Sequence, residues 1–233
     1  DLILDGYGGT LIVNPTAKTS AHYRELEEVR KRERAKLDKL RDAEAVTTDG
    51  RRITLSANIE FEHELKLVER SGAEGVGLFR TEFFLLEREE CPDEEEQAAL
   101  YSRIAKSVAP DEVIFRTLDA GGDKVPGEPL AEPEPNPFLG WRGIRFSLAR
   151  KDLFKEQLRA ILRAGACGRV GLMFPLISGL GEVREAKRLL VESMAELAER
   201  GVEYNQEISV GAMIEVPSAA MVASDIAAEV DFL

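Results

Sequence analysis

Cysteine and histidine are scarce in this chain, two of each in 233 residues. Cys91 and Cys167 are too few for a disulfide framework and lack zinc-type spacing, so a reducing, cytoplasmic setting is expected. His22 and His63 lie in charged helical stretches with no nucleophile or metal ligand at useful spacing, and both read as surface residues. No apolar run approaches the roughly 18 residues that would span a bilayer, which excludes membrane insertion by such a helix. The first residues, Asp1-Leu2-Ile3-Leu4-Asp5, form neither a basic leader nor a cleavage site. There is no initiator Met, and Val230-Asp231-Phe232-Leu233 reads like the first half of a buried strand, so both ends suggest a segment of something longer. Positive charge is also in deficit. Lys and Arg number 31 against 43 Asp and Glu, a net charge of −12, which argues against a nucleic acid held by phosphate neutralisation. A local cluster of Arg can still bind a small anion against that global sign.

What the chain does have is a regular alternation of apolar runs and helical patterns. Leu2-Ile3-Leu4 and Leu11-Ile12-Val13 flank Gly6-Tyr7-Gly8-Gly9, a hairpin signal. From Ser20 to Ala45 the composition turns to dense mixed charge with a thin stripe of Leu26, Val29, Leu37 and Leu40, which predicts a solvated helix packing along one edge. Strands are then expected over 53–59, 75–80, 113–118, 170–177 and 210–216. Helices follow them: one through Leu67-Val68, one over 92–108, two after a Gly/Pro-rich excursion at 120–140, and one over 181–200. Another opens at Pro217, a favoured first-turn position for proline.

Near-continuous apolar strands, each followed by a helix, mark a parallel sheet buried on both faces. The fold class is therefore α/β, and about five βα units fit an incomplete (β/α)₈ TIM-type barrel. An open doubly wound sheet is the alternative, but no Gly-rich first turn of the dinucleotide-binding kind is present.

In such barrels function sits at the C-terminal ends of the strands, and those ends carry Arg80, Arg116 and Glu215. A guanidinium fork matches phosphate or carboxylate oxygens. A carboxylate facing the same anion needs a bridging cation, and Mg²⁺ takes one or two protein carboxylates together with phosphate oxygens and water. The residues thus point to a small phosphorylated anion on Arg80 and Arg116, with Mg²⁺ on Glu215. The plainer alternative is a set of rim salt bridges, Arg80 to Glu82 or Glu87 and Glu215 to a nearby base. Lys124, closing the turn Gly121-Gly122-Asp123, can reach a phosphate as a point charge or simply end a turn. The stretch Asn136 to Arg145 places Trp141 and two Arg at a helix start, either an anion site or a packed cover for the barrel mouth. Cys91 and Cys167 show no basic surroundings that would mark a reactive thiolate.

Gly75-Val76-Gly77-Leu78-Phe79-Arg80-Thr81-Glu82-Phe83 and Phe115-Arg116-Thr117-Leu118-Asp119-Ala120-Gly121-Gly122-Asp123-Lys124 are similar to two blocks of the phosphoenolpyruvate-protein phosphotransferases, the Enzyme I type. Asn136-Pro137-Phe138-Leu139-Gly140-Trp141-Arg142 and Gly211-Ala212-Met213-Ile214-Glu215-Val216-Pro217 resemble two more, in the same order. The resemblance runs over nearly the whole chain. It implies a barrel that binds phosphoenolpyruvate (PEP) with Mg²⁺: Arg80 and Arg116 on the phosphoryl group, Arg142 and Lys124 in support, Asn136 fixing its loop, and Glu215 as one metal ligand. It further implies transfer to a histidine on a separate swivelling domain and then to a histidine-containing phosphocarrier protein in sugar uptake, with a homodimeric parent. Residues 1–16 would be the remnant of the phosphohistidine domain, 17–48 a helical linker and 49–233 the N-terminal portion of the barrel. The phosphorylated histidine, the second Mg²⁺ carboxylate and a Cys proton donor have no counterpart in this chain, so it would carry no catalytic residue of its own.

Two rivals remain at this level. Pyruvate phosphate dikinase and phosphoenolpyruvate synthase share the barrel and the Arg-Thr-Glu and Glu-Val-Pro signatures, although the Arg-Thr-Leu-Asp-Ala-Gly-Gly-Asp-Lys block favours Enzyme I. A non-catalytic half-barrel binding module is the other, and an open edge at Val230 to Leu233 would be an aggregation liability for it.

Overall fold

The computed structural model describes residues 1–86, 91–121, 136 and 139–233. They form two compact units, 1–53 and 54–233. In the first, β1 (Leu2–Asp5) and β2 (Thr10–Val13) pair antiparallel with Leu2 opposite Val13, as the turn between the two apolar runs predicts. Asp5 Oδ1 closes that turn by accepting from the N–H groups of Tyr7 and Gly8, both at 3.1 Å. Helix α1 (Ala17–Asp38) starts on the Thr16 side chain, which accepts from Thr19 N–H, and ends earlier than the charge pattern suggests. The expected packing of its apolar stripe is not found: none of its residues is buried, and Val29 and Leu37 face solvent. Two turns separate Val29 from Leu37, and Leu40 falls past the helix end, leaving too thin a seam to dock a helix this charged.

The second unit is a five-stranded parallel sheet: β3 (Ala57–Ile59), β4 (Gly75–Arg80), β5 (Glu112–Arg116), β6 (Arg169–Phe174) and β7 (Ser209–Ala212). Spatial order follows chain order, β3-β4-β5-β6-β7. A doubly wound sheet reverses its order at a switch point, so the unbroken sequence decides for a barrel-type sheet. Among the described residues the outer strands β3 and β7 do not pair, and the sheet is a partial barrel. Beyond β7, Phe232 makes one parallel bridge to Gly211, against whose bare Cα its ring packs.

Helices α2 (Leu65–Ser71), α4 (Glu94–Val108), α6 (Lys151–Ala164) and α7 (Leu180–Glu199) follow β3 to β6, with short α3 (Glu82–Leu86) and α5 (Ile144–Ala149) near the strand ends. Helices α8 (Pro217–Met221) and α9 (Ala223–Ala227) follow β7. A capping box begins α4: Asp93 Oδ1 accepts from Glu96 N–H at 2.9 Å while Glu96 reaches back to Asp93 N–H. Val76, Phe79, Val113, Phe115, Leu172 and Phe174 fill the sheet; Ile104, Leu158, Ile161 and Leu189 press on it from the helices. Each such side chain contributes about 1.5–3 kcal/mol by leaving water.

The expected strand over 53–59 shortens to its last three residues, because Ile53 and Leu55 are exposed and only Ile59 reaches the core. The strands expected to run to 118, 177 and 216 also stop early, at Arg116, Phe174 and Ala212. After β6 the backbone turns at Leu176, whose φ of 56° lies in the left-handed region. No helix of the described residues is long and apolar enough to cross a membrane.

Candidate functional site

Parallel register sets Arg80, the last residue of β4, beside Arg116, the last residue of β5. Residues paired across adjacent parallel strands project to one face, so two guanidiniums share the C-terminal rim. In each the Nε is buried and has no hydrogen-bond partner among the described residues. Other nitrogens of both guanidiniums are engaged. Arg80 Nη1 bonds Glu60, just beyond β3. Arg116 Nη2 donates to Glu82 Oε1 at 3.0 Å and its Nη1 lies 3.2 Å from Asp119 Oδ2. Glu82 Oε1 also accepts from Asp119 N–H at 3.0 Å.

Arg142 joins the same cluster: Nη2 donates to Asp119 Oδ1 at 3.0 Å and to the Asp119 carbonyl at 3.2 Å. The backbone holds it there, since Gly121 and Arg142 form a bridge and Gly143 N–H donates to the Ala120 carbonyl at 3.3 Å. Gly143 has φ of 56°, and a Cβ on it would lie 2.9 Å from Leu176 Cβ and 3.4 Å from Asp119 Oδ1. Only glycine fits that approach. Three guanidiniums thus face three carboxylates, Glu60, Glu82 and Asp119. The plainer alternative of rim ion pairs is therefore present in part, with different partners: Arg80 takes Glu60, and Glu82 goes to Arg116. Burial pushes the Glu82 carboxyl above the usual range, and the Arg116 charge only partly opposes it.

Glu215 lies three residues past the end of β7 and is exposed. One oxygen accepts from Leu176 N–H at 2.6 Å, through the left-handed turn after β6. Met213 connects it to the cluster: its N–H donates to the Phe174 carbonyl at 2.9 Å, and its Sδ is 3.8 Å from Arg116 Nη1. Arg80, Arg116, Arg142 and Glu215 therefore all stand on one end of the sheet. Among the described residues no group of three or more His, Cys, Asp or Glu could hold a metal ion by itself.

Residues 34–233 match a family described as PEP-utilising enzyme, PEP-binding domain. The chain belongs to that family. Curated relatives named phosphoenolpyruvate-protein phosphotransferase are similar to it over 99% of its length: 44% identity for Staphylococcus carnosus (strain TM300), 43% for Haemophilus influenzae and 42% for Listeria monocytogenes. The chain spans only 40% of the length of each.

The other residues singled out in the sequence have varied surroundings. Asn136 is exposed, and its carbonyl accepts from Leu139 N–H at 3.3 Å. Arg145 steadies the same stretch through the carbonyls of Leu139 and Gly140. Trp141 meets Phe146 edge-on with ring centres 6.4 Å apart. Lys124 lies outside the described residues. His22 sits edge-on to Tyr23 and His63 stacks on Phe61. Burial pushes the Cys91 thiol up, which disfavours a thiolate.

Sequence reasoning missed Glu60 and Asp119 as counter-ions, offered Glu82 to Arg80 where it meets Arg116, and missed Gln157 behind them. Glu82 and Asp119 stood inside the motifs, but nothing in their spacing said which Arg each would meet. Gln157 had a signal: a polar residue between Phe154 and Leu158 on a face of α6 that is otherwise buried and apolar.

Proposed function

We propose that this chain is the PEP- and Mg²⁺-binding portion of a phosphotransferase that moves the phosphoryl group of PEP to a histidine, and on to a histidine-containing carrier protein in sugar uptake. The observation that supports this best is the register pair Arg80 and Arg116, each with a buried Nε–H left unpartnered on one rim. A phosphoryl group offers oxygens to both, and forked donors suit it. In this reading Arg142 and Lys124 assist, Asn136 orders its loop and Glu215 is one metal ligand. The donor set fits Mg²⁺ held by one protein carboxylate and by substrate oxygens; bound there, the ion would neutralise charge on the phosphoryl oxygens. The chain's own residues orient the group and spread its charge, which is most of the catalytic task when the transition state is loose. The phosphorus–enol oxygen bond breaks, a phosphorus–nitrogen bond forms on the incoming histidine, and the enolate takes a proton to become pyruvate.

Residues 1–16 would belong to the phosphohistidine domain, 17–48 to a linker and 49–233 to the barrel, in a homodimeric cytoplasmic protein. Calorimetric titration of PEP with Mg²⁺ into this chain tests the site. We expect saturable binding that weakens at least tenfold in Arg116→Ala and less in Arg116→Lys, with melting curves confirming that both variants are folded. Equal affinity in the folded variants, or no binding by the wild type, rejects the assignment.

A further inference from the structure

Behind the rim, α6 sends one polar side chain into the core. Gln157 is buried, and its amide touches both Arg-bearing strand ends at once. Its Oε1 accepts from Leu118 N–H at 3.0 Å, two residues past Arg116. Its Nε2 donates to Thr81 Oγ1 at 3.1 Å, one residue past Arg80. Thr81, fully buried, passes the contact on: its Oγ1 donates to the Arg116 carbonyl at 2.9 Å. The amide orientation follows from chemistry, because Leu118 N–H can only donate and must meet the oxygen. Behind it the chain continues from Nε2 to Tyr101 Oη at 3.5 Å, from Tyr101 Oη to Gln97 Oε1 at 3.3 Å, and from Gln97 Nε2 to the Pro92 carbonyl at 2.8 Å.

We propose that Gln157 is a positioning residue for the anion site: it fixes the spacing of the β4 and β5 ends, and so of Arg80 and Arg116. The inference rests on the PEP-binding reading of that rim. Hydrogen bonds alone do not require this arrangement, since an apolar side chain packed among Phe154, Leu158 and Tyr101 would suit the core equally well. What the amide adds is a donor and an acceptor aimed at two different strands. Without it Leu118 N–H is left unpaired, and Thr81 loses the donor that keeps its hydroxyl turned to the Arg116 carbonyl. A mismatch of a fraction of an ångström between the two guanidiniums is felt directly by a ligand held by both.

Glutamate at this position supplies the test. A protonated carboxyl can still donate to Thr81 and accept from Leu118, whereas an ionised one can only accept. PEP with Mg²⁺ is titrated across pH into the wild-type chain, Gln157→Glu, Gln157→Met and Thr81→Val, with melting temperatures in parallel. The expected result is a Gln157→Glu affinity, taken as a ratio to wild type, that is near one at low pH and falls at least tenfold as the carboxyl ionises. Gln157→Met should be weaker at every pH, and Gln157→Met/Thr81→Val no weaker than the worse single change, as for two groups on one path. Variants that melt lower yet bind like wild type at every pH overturn the proposal and leave Gln157 a core residue. Wild-type protein that binds no PEP overturns the rim assignment itself, and this inference with it.

Discussion

Glu82 is nearly buried, and Arg116 and the Asp119 N–H favour its ionised form. Desolvation outweighs both, so its folded-state pKa stands above the ordinary 4.5. A carboxyl raised on folding binds its proton more tightly in the native state, and native stability then falls as pH rises from about 4.5 through the raised value. Glu82→Gln keeps an acceptor for Arg116 and removes the titration. We expect the wild type to lose stability relative to Glu82→Gln as pH climbs through that window, measured by urea melts; parallel curves would reject the assignment. The same residue shows the reach of sequence reasoning. That Arg80 and Arg116 end adjacent strands was legible, because strand boundaries and the rule about strand ends suffice. Which carboxylate meets which guanidinium was not, because it depends on loop paths that bring Glu60 and Asp119 together with them.

Among the elements, α4, α6 and α7 are tied by one carboxylate. Glu94 receives Arg159 Nε at 2.5 Å, Arg163 Nη1 at 2.8 Å and Arg200 Nη1 and Nη2 at 2.9 Å. Burial alone would raise its pKa, but hydrogen bonds from Arg200, Arg159 and Arg163 outweigh it and hold the carboxyl at about 2. A depressed carboxylate contributes stability that is whole above its unfolded value and is lost as pH falls from about 4.5 toward 2. Glu94→Gln should therefore cost roughly 2 kcal/mol at pH 7 and almost nothing near pH 2, by denaturant melts at both. A cost that stays constant with pH would mean packing, not charge. Helix positions were readable from apolar periodicity: α4 and α7 fall within two residues of their expected limits. This network was not, since Glu94 and Arg200 lie far apart in sequence and only the order of the sheet sets α4 and α7 on either side of α6.

At the scale of the whole molecule, the two units differ in what holds them. Residues 54–233 enclose a continuous apolar core, whereas α1 buries none of its residues. A helix of 22 residues without a packed face is marginal in water, since propensity and side-chain pairs such as Lys31 with Glu27 and Glu28 contribute only tenths of a kcal/mol each. Backbone amides of residues 17–38 should exchange with deuterium at least tenfold faster than those of α6, measured by mass spectrometry in this chain. Equal protection would show that α1 is held by contacts with something else. The sheet order was implied by the strand–helix alternation; the bareness of α1 was not, because a thin apolar stripe reads alike whether or not a partner covers it.

The matched charges of the rim also bear on how fast an anion arrives. Among the described residues, Glu60, Glu82 and Asp119 set against Arg80, Arg116 and Arg142 make a cluster that projects little field into solvent, while the chain as a whole carries −12. Long-range attraction cannot draw in a multiply charged ligand under those conditions, and the distant charges slow its approach. Capture becomes a short-range exchange of one carboxylate partner for another, so added salt, by screening the repulsion, would quicken association where it slows most anion-binding proteins.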